Sequence, residues 1–257
     1  QKRIMSDVLI AAYHGGLGDS LQFSTLPEEF SIQQGRDTFV WDRAFFRNPE
    51  IAQLVWGQNP YIKGVKGGKW NAGDIPEIKF ENVAGNSIGS WEQLHGLEPR
   101  NKYPKIYYKP NCTDLSDVFL VDISTISRDY NHEKLLEKYE EIRKEHPDKL
   151  FVRIEFLKEI NNRKGIDIAH DGKHVTYPVP VDGRMEITNI FSYVNAMASS
   201  AGLVSVHSGQ SHLSSAVKHQ YNSDLQSYCI MPEDDYQFHI NKGIFIFDNI
   251  QHVTYEP

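Results

Sequence analysis

The first sixty residues alternate between two kinds of hydrophobic spacing. Residues 8–13 are continuously apolar, which is typical of a strand buried on both faces of a parallel sheet. Apolar side chains then recur at about helical spacing over residues 20–34, and Gly35 follows as the predicted C-cap. Residues 37–42 predict a second strand, and residues 48–57 predict a second helix. This order predicts a parallel sheet with crossover helices.

The second predicted helix begins at a recognisable N-cap residue, whereas the stretch that follows the helix shows no single period of hydrophobic residues. Asn48 is the predicted N-cap, because its side chain can accept a hydrogen bond from an amide of the first turn. Residues 87–97 predict another helix. Residues 101–110, which contain Pro104 and Pro110, predict a linker between two domains.

A second run of alternating elements begins after this predicted linker. It starts with a strand over 118–124, a helix over 131–146 that Asn131 caps, and a strand over 149–156. A polar loop over 161–174, an edge strand over 174–181 and a helix over 186–200 follow. The run ends with a strand, glycine turn and helix over 202–217 and with final strands over 229–232 and 243–247. The chain therefore predicts an α/β protein with two small doubly wound halves, residues 1–110 and residues 111–257.

The composition narrows the classes of protein that the chain can represent. The 257 residues carry a formal charge of −7, which disfavours a general binder of nucleic acid or of anionic membranes. The only two cysteines, Cys112 and Cys229, are too few for a disulfide scaffold, so a reducing cytoplasm is expected. No stretch approaches the roughly 18 apolar residues of a membrane span. The apolar residues near the start lead straight into a glycine-rich loop, which favours a first strand over a signal peptide.

Two glycine-containing loops each follow a predicted strand and enter a predicted helix. They are HGGLGDS (14–20) and HSGQSHL (207–213). In an open parallel sheet, ligands bind beyond the carboxyl ends of the strands, where such loops lie. A helix N-terminus presents unpaired N–H groups and a partial positive charge, and both favour phosphate groups. Both loops are therefore candidate ligand-binding positions.

The second loop has the composition of a diphosphate cradle without the lysine of a P-loop. Ser208 can cap the helix and Gly209 leaves space, while Gln210, Ser211 and His212 supply donors in the first turn. An ordinary serine–glycine helix cap explains the same residues equally well. The two histidines of the loop have no further ligand at close spacing, so a metal site is not expected.

The first loop lacks the GxGxxG fingerprint, and no acid after the second predicted strand is clearly placed for a ribose. Nicotinamide binding is therefore disfavoured. Asp19 stands at the start of a helix, where the helix dipole stabilises a carboxylate. It can be a simple capping residue, or a general base that deprotonates a sugar hydroxyl. Local chemistry leaves both roles open.

Three stretches of the chain share features with one family of enzymes. They are GLGDSLQFSTLPEEF (16–30), LVWGQNPYIKGV (54–65) and LVSVHSGQSHLSSAV (203–217). Together they resemble the ADP-heptose:lipopolysaccharide heptosyltransferase-like glycosyltransferases. The first resembles the family's Gly-Asp pair at a helix start with a proline eight residues beyond the Asp. The second is similar to its Asn-Pro-Tyr-Ile passage, and the third to its donor-site strand, Thr/Ser-Gly turn and helix.

The resemblance implies a GT-B fold, in which two Rossmann-like domains face each other across a cleft. Residues 1–110 would form the acceptor side and residues 111–257 the nucleotide-sugar side. It also implies metal-independent transfer with inversion at the anomeric carbon. A nucleotide sugar and a glycan or other hydroxyl acceptor would be the substrates, and no cofactor is expected.

The resemblance also implies roles for individual residues. Asp19 would be the base that activates the acceptor hydroxyl. The donor diphosphate and sugar would be held by Ser208, Gly209, Gln210, Ser211 and His212. Beyond the matched positions, Arg153 and Lys164 are candidate cations for the leaving diphosphate, and His207 and Ser124 are further candidates for donor binding. The acceptor-side loop would comprise His14, Gly15, Gly16 and Gly18.

Two departures from the family's pattern leave alternatives open. His207 stands where the family usually has an aspartate, and the segment after the first strand of the second half offers only Ser124, Thr125 and Arg128 in place of a lysine. One alternative is a non-catalytic nucleotide- or sugar-binding protein of the same fold. Another is a glycosyltransferase that acts on modified DNA bases, which the acidic charge disfavours. An enzyme of surface polysaccharide synthesis would be cytoplasmic or peripheral to the inner membrane, with no nucleic-acid partner.

Overall fold

The computed structural model of the chain describes residues 7–10, 15–69, 74–75, 79–125, 129–156 and 175–257. The chain divides into two compact units. The first comprises residues 1–108 and 242–246, and the second comprises residues 109–241 and 247–257.

The first unit contains a parallel sheet of three strands in the order β1-β2-β3. The strands are β1 (Val8–Ile10), β2 (Thr38–Trp41) and β3 (Ile62–Lys66). The helices are α1 (Leu17–Gln22), α2 (Leu26–Glu29) continued by a π-helical turn (Phe30–Gln34), α3 (Pro49–Ala52) continued by a second π-helical turn (Gln53–Gly57), and α4 (Ser87–Leu94).

The helix-end signals of the first unit are confirmed. Gly35 has a φ of 62° and ends the first helical stretch in the left-handed conformation, where a side chain would be strained. Asn48 Oδ1 accepts a hydrogen bond from the Glu50 N–H at 2.8 Å. Leu21, Leu26 and Phe30 face inward and are fully buried. Leu26 and Phe30 are four residues apart, as expected on one face of a helix, whereas Leu21 belongs to α1, and a turn at residues 23–25 divides the predicted helix over 20–34.

Most of the predicted linker belongs to the first unit instead. Ile106 is fully buried, and the Lys105 N–H donates to Ser24 Oγ at 2.9 Å. Glu28 accepts from Lys105 Nζ at 2.7 Å and from the Tyr107 hydroxyl at 2.8 Å. Residues 101–108 therefore pack on the first unit, and the boundary between the two units falls between residues 108 and 109, inside the predicted linker.

The second unit contains a parallel sheet of six strands in the order β11-β10-β9-β4-β6-β8. The strands are β4 (Leu115–Asp122), β6 (Leu150–Phe156), β8 (Gly183–Ile187), β9 (Ser200–Val206), β10 (Gln226–Pro232) and β11 (Gln251–Tyr255). The short strands β5 (Ser124–Thr125) and β7 (Val175–Thr176) pair antiparallel beside it. The helices are α5 (His132–Glu145), α6 (Ile190–Ser199), α7 (Gly209–Gln220) and α8 (Glu233–Lys242).

The predicted helix over 186–200 is confirmed with a later start, and one predicted strand of the second unit is wrong. Residues 183–187 form edge strand β8, and the helix begins only at Ile190, after Asn189 accepts from the Ser192 N–H at 2.8 Å. Ile187 and Ile190 are three residues apart, so the end of a strand imitated helical spacing. The predicted strand over 243–247 does not form, because Phe245 has a φ of 61°. The last strand is β11.

The predicted edge strand over 174–181 is confirmed only for Val175 and Thr176, and the polar loop over 161–174 lies outside the described residues. In the part of the chain that the structure describes, no helix is both long enough and apolar enough to cross a membrane.

Gly202 on β9 allows a test of how tightly the second sheet is packed. A Cβ at this position would lie 2.6 Å from Cδ1 of Phe119, whose ring is fully buried and stacks on Phe151 at 5.2 Å. The ring has no room to move away, so we expect Gly202→Ala to lower the free energy of unfolding by about 1–3 kcal/mol. Chemical denaturation measures this change.

The matched control is Gly183→Ala on β8 of the same sheet. Its Cβ would lie 3.8 Å from Val152, which is an ordinary van der Waals distance. We expect this variant to unfold within about 0.5 kcal/mol of the unsubstituted protein. Equal stabilities of the two variants would contradict the tight packing of Phe119 on Gly202.

Candidate functional site

A cavity of about 340 Å³ lies at the carboxyl ends of β4 and β6 in the second unit. It is lined by Val121–Ser124, Arg153–Phe156, Thr176, Tyr177 and Val179. Ser124 and Arg153, two of the predicted donor-side residues, therefore line the same space. The carboxyl ends of the strands are where open parallel sheets bind their ligands.

Arg153 joins β6 to the segment that follows β7. Its Nη2 donates to the Val179 carbonyl at 2.6 Å. A guanidinium carries five N–H donors, so this bond leaves others that can reach a ligand. The nearby carboxylate of Glu155 pairs with Arg184 at 2.9 Å, which offsets its charge. Arg153 is therefore available as the cation of the cavity wall.

Asp122, the last residue of β4, places a buried carboxyl group at the same cavity. It accepts hydrogen bonds from Ser124 Oγ at 2.6 Å and from the Tyr193 hydroxyl of α6 at 2.8 Å. Burial raises the pKa of Asp122, and the two hydrogen bonds act in the opposite direction. The carboxyl group thereby fixes the Ser124 hydroxyl and couples it to α6.

The predicted diphosphate cradle lies at the start of α7, directly after β9. Ser208 is the N-cap; its N–H donates to Ser211 Oγ at 3.4 Å, and Ser211 Oγ donates to the Ser208 carbonyl at 2.7 Å. Ser208, Gly209 and Gln210 are partly exposed, whereas Ser211 and His212 are buried. Of the predicted loop over 207–213, only Ser208–Gln210 are therefore accessible to a ligand in this unit.

Gln210 connects this loop to the cavity. Its Nε2 donates to the Ser124 carbonyl at 2.8 Å and to the Asp122 carbonyl at 3.3 Å, and its Oε1 accepts from Ser208 Oγ. The side-chain amide therefore binds the backbone that follows β4. These bonds give Gln210 a positioning role between the first turn of α7 and the cavity.

The histidines near this loop pack against one another inside the unit. His207, His212 and His239 are all buried. The ring centroids of His207 and His239 lie 4.4 Å apart, and those of His207 and His212 lie 5.4 Å apart. The Tyr130 hydroxyl donates to the His207 carbonyl at 3.3 Å. Across the described ranges, no group of three or more His, Cys, Asp or Glu side chains is arranged to hold a metal ion.

The predicted acceptor-side loop lies in the first unit. Gly15, Gly16 and Gly18 are buried, and Asp19 is partly exposed. Gly16 is the N-cap of α1, and Asp19 Oδ2, from the third helical position, accepts from the Gly16 N–H at 3.3 Å, so Asp19 caps the helix from within its first turn and not as the N-cap residue. Its partial exposure also leaves the carboxylate within reach of a ligand. His14, Lys164 and Arg128 lie outside the described residues.

Arg47, which sequence reasoning did not select, lies beside this loop. Its N–H donates to the Gly15 carbonyl at 2.9 Å. No period or motif marks Arg47 in the sequence. Asp122 was also missed, although an acid that ends an apolar strand, as in VFLVD, is a signal that could have identified it.

No protein-family model and no curated protein sequence matches the chain. Solved structures match it in fold. The iron-containing dodecameric glycosyltransferase TibC from enterotoxigenic E. coli H10407 superposes with a TM-score of 0.60 at 16% identity, over 98% of this chain and 64% of TibC. The chain therefore spans less than two thirds of the length of TibC.

Two further structures cover nearly the whole chain. The glycosyl transferase family 9 protein from Veillonella parvula DSM 2008 has a TM-score of 0.57 at 10% identity, over 99% of this chain and 86% of that protein. E. coli heptosyltransferase WaaC with ADP has a TM-score of 0.57 at 11% identity, over 97% of this chain and 93% of WaaC. The predicted α/β class with parallel sheets is confirmed, and the resemblance to heptosyltransferases is confirmed for the fold.

The hydrogen bond from Tyr193 to Asp122 predicts a pH-dependent stability. Removing the hydroxyl takes away a bond that favours the ionised carboxylate, so Tyr193→Phe raises the folded-state pKa of Asp122 further. A raised folded-state pKa destabilises the fold while the carboxyl is ionised. This penalty is relieved as the pH falls and the group takes up a proton.

We therefore expect Tyr193→Phe to lower the free energy of unfolding by about 1–3 kcal/mol at pH 7, and by less in acid. Denaturation at a series of pH values measures the difference from the unsubstituted protein. Tyr236→Phe, at a ring that packs on His252, is the control. A difference that stays constant from neutral to acidic pH would refute the role of Asp122.

Proposed function

We propose that the protein is a glycosyltransferase that moves a sugar from a nucleotide-sugar donor to a hydroxyl group of an acceptor. The observation that carries this proposal is the cavity at the carboxyl ends of β4 and β6. Ser124 and Arg153 line it, and Gln210 joins it to the first turn of α7. A cation and a helix N-terminus together suit a diphosphate. The similarity in fold to WaaC with ADP supports a nucleotide ligand.

In the proposed reaction, the carboxylate of Asp19 accepts the proton of the acceptor hydroxyl. The acceptor oxygen then forms a bond to the anomeric carbon on the face opposite the diphosphate. The bond between that carbon and the diphosphate oxygen breaks, and the nucleoside diphosphate leaves with the electron pair. The product therefore has the inverted anomeric configuration.

The protein would stabilise the leaving group with its own charges. Negative charge develops on the diphosphate as its bond to the sugar breaks, and preorganised donors aimed at that charge lower the barrier. The guanidinium of Arg153 and the first N–H groups of α7 would supply these donors. On this proposal, transfer proceeds without a metal ion or a cofactor.

The proposal assigns the first unit to the acceptor and the second unit to the donor, facing each other as in a GT-B enzyme. The acceptor would be a hydroxyl group of a glycan, in surface polysaccharide synthesis at the cytoplasmic face of a membrane. The Gly-Asp signature at Gly18 and Asp19 and the glycine turn at Ser208 and Gly209 support this assignment.

A panel of nucleotide sugars tests the donor site. A ligand that binds only the folded state raises Tm, by an amount equivalent to about 2.7 kcal/mol at a hundredfold excess over Kd. We expect at least one nucleotide sugar to raise Tm and the Arg153→Gln variant to lose most of that shift. Differential scanning fluorimetry measures both. If no member of the panel raised Tm, the assignment of the cavity to a donor nucleotide would be wrong.

Asp19→Asn tests the catalytic role. The amide keeps the size of the side chain but cannot take up the acceptor proton, so we expect turnover to fall at least about 100-fold. The Tm shift caused by the donor should remain, because the donor is assigned to the other unit. The measurement is nucleoside diphosphate release from the donor that raises Tm, in the presence of glycan acceptors.

The matched control is Asp37→Asn, at an exposed aspartate just before β2. This variant should turn over at the unsubstituted rate. Unchanged turnover in Asp19→Asn would exclude Asp19 as the base. Donor binding without turnover in the unsubstituted protein would favour a non-catalytic nucleotide-binding protein.

A further inference from the structure

Because Gly16 has no side chain, two charged side chains of the first unit, those of Asp19 and Arg47, can lie close to its Cα. A Cβ on Gly16 would lie 2.7 Å from Asp19 Oδ2 and 3.7 Å from Arg47 Nη1. A carboxylate and a guanidinium therefore border the space that the missing side chain leaves. This juxtaposition brings a second charged group to the loop on which Asp19 lies.

The backbone holds Arg47 at this position. Its N–H donates to the Gly15 carbonyl at 2.9 Å, and Gly15 adopts a φ of 61°. A Cβ on Gly15 would lie 2.7 Å from the Phe45 carbonyl oxygen and 2.9 Å from the Arg47 nitrogen. Only glycine fits between these backbone atoms without displacing them. The distance from Arg47 to the Asp19 loop is therefore set by main-chain contacts.

The Arg47 guanidinium is half-buried, yet it makes no hydrogen bond or ion pair with any residue in the described part of the chain. It is not close enough to Asp19 to form a salt bridge with it. A guanidinium presents several N–H donors in a planar fork that matches a carboxylate or a phosphate. Arg47 thus has a rigid attachment and donors that the described protein does not use.

We propose that Arg47 binds an anionic group, a carboxylate or a phosphate, on the molecule whose hydroxyl reaches Asp19. The inference rests on the proposed function, since it identifies the acceptor as an acidic one. Arg47 binds the anionic group, and this places a neighbouring hydroxyl of the same molecule at the Asp19 carboxylate. The charge of Arg47 also offsets the repulsion between that anion and Asp19.

Ligand-observed NMR titration of the full chain tests this proposal without donor or turnover. The probes are galacturonate and glucose 6-phosphate, each compared with its neutral counterpart, galactose or glucose. A charge-assisted hydrogen bond lost from a site weakens binding about ten-fold or more. We expect at least one acidic probe to bind about ten-fold more tightly than its neutral counterpart, and added salt to reduce the preference. The acidic probe that binds distinguishes a carboxylate from a phosphate.

Arg47→Gln should abolish the preference for the acidic probe, and Arg47→Lys should retain part of it. Arg43→Gln is the matched control, because Arg43 lies on the same segment over the Trp41 ring and should leave the preference unchanged. Asp19→Asn should preserve or strengthen binding of the acidic probe, since it removes a like charge. Each variant is first checked for an unchanged Tm.

Equal binding of acidic and neutral probes to the unsubstituted protein, or a preference that survives in Arg47→Gln, would overturn the proposal. These outcomes are independent of the nucleotide-sugar experiment, which probes the second unit. If the protein binds a nucleotide sugar but shows no anion preference, the proposed function stands and the proposed role of Arg47 is wrong. If it shows an anion preference but binds no nucleotide sugar, the proposed function is wrong instead.

Discussion

β4 and β9 lie side by side in the centre of the larger sheet, paired in parallel from Phe119–Gly202 to Asp122–Ser205. This pairing brings the end of β4 next to the end of β9, so that the turn after β4 and the first turn of α7 start from adjacent strands. The bonds from Gln210 to the carbonyls of Ser124 and Asp122 span that short distance. The close approach depends on Gly202, where the Phe119 ring occupies the space that a side chain would need. A packing detail of the core therefore sets the geometry of the candidate donor site.

The sequence predicted those features that local spacing determines. Period and caps identified both glycine loops, and the end signals at Gly35, Asn48 and Asn131 were correct because capping involves residues within one turn. The strand over 183–187 was missed because only its long-range pairing with β6 distinguishes it from the first turn of a helix. The packing of residues 101–108 was missed for the same reason, since the partners of Lys105 lie more than 70 residues away.

The candidate site could be predicted only in part, and the missing part is tertiary. Ser124 and Arg153 were selected from separate strands, and their convergence on one cavity follows from the parallel pairing of β4 with β6. Ser211 and His212 were selected as donors, yet both are buried, because residues 211–217 of α7 are covered on every side and the helix contacts β9, β10 and α6. Arg47 could not be found from spacing, since its place beside Asp19 results from a backbone contact between residues that are 32 positions apart.

The two roles that the sequence left open for Asp19, a capping residue and a general base, are compatible in the structure. Oδ2 caps the Gly16 N–H, and this bond restricts the rotation of the side chain. Oδ1 makes no hydrogen bond with any residue in the described part of the chain. A carboxylate held through one oxygen directs the other oxygen consistently, and a catalytic group needs that kind of preorganisation. The capping bond that stabilises the start of α1 therefore also orients the oxygen that would receive a proton. The missing side chain of Gly16 leaves room for the carboxylate of Asp19 and, beside it, for the guanidinium of Arg47, so one glycine brings both charges to this loop.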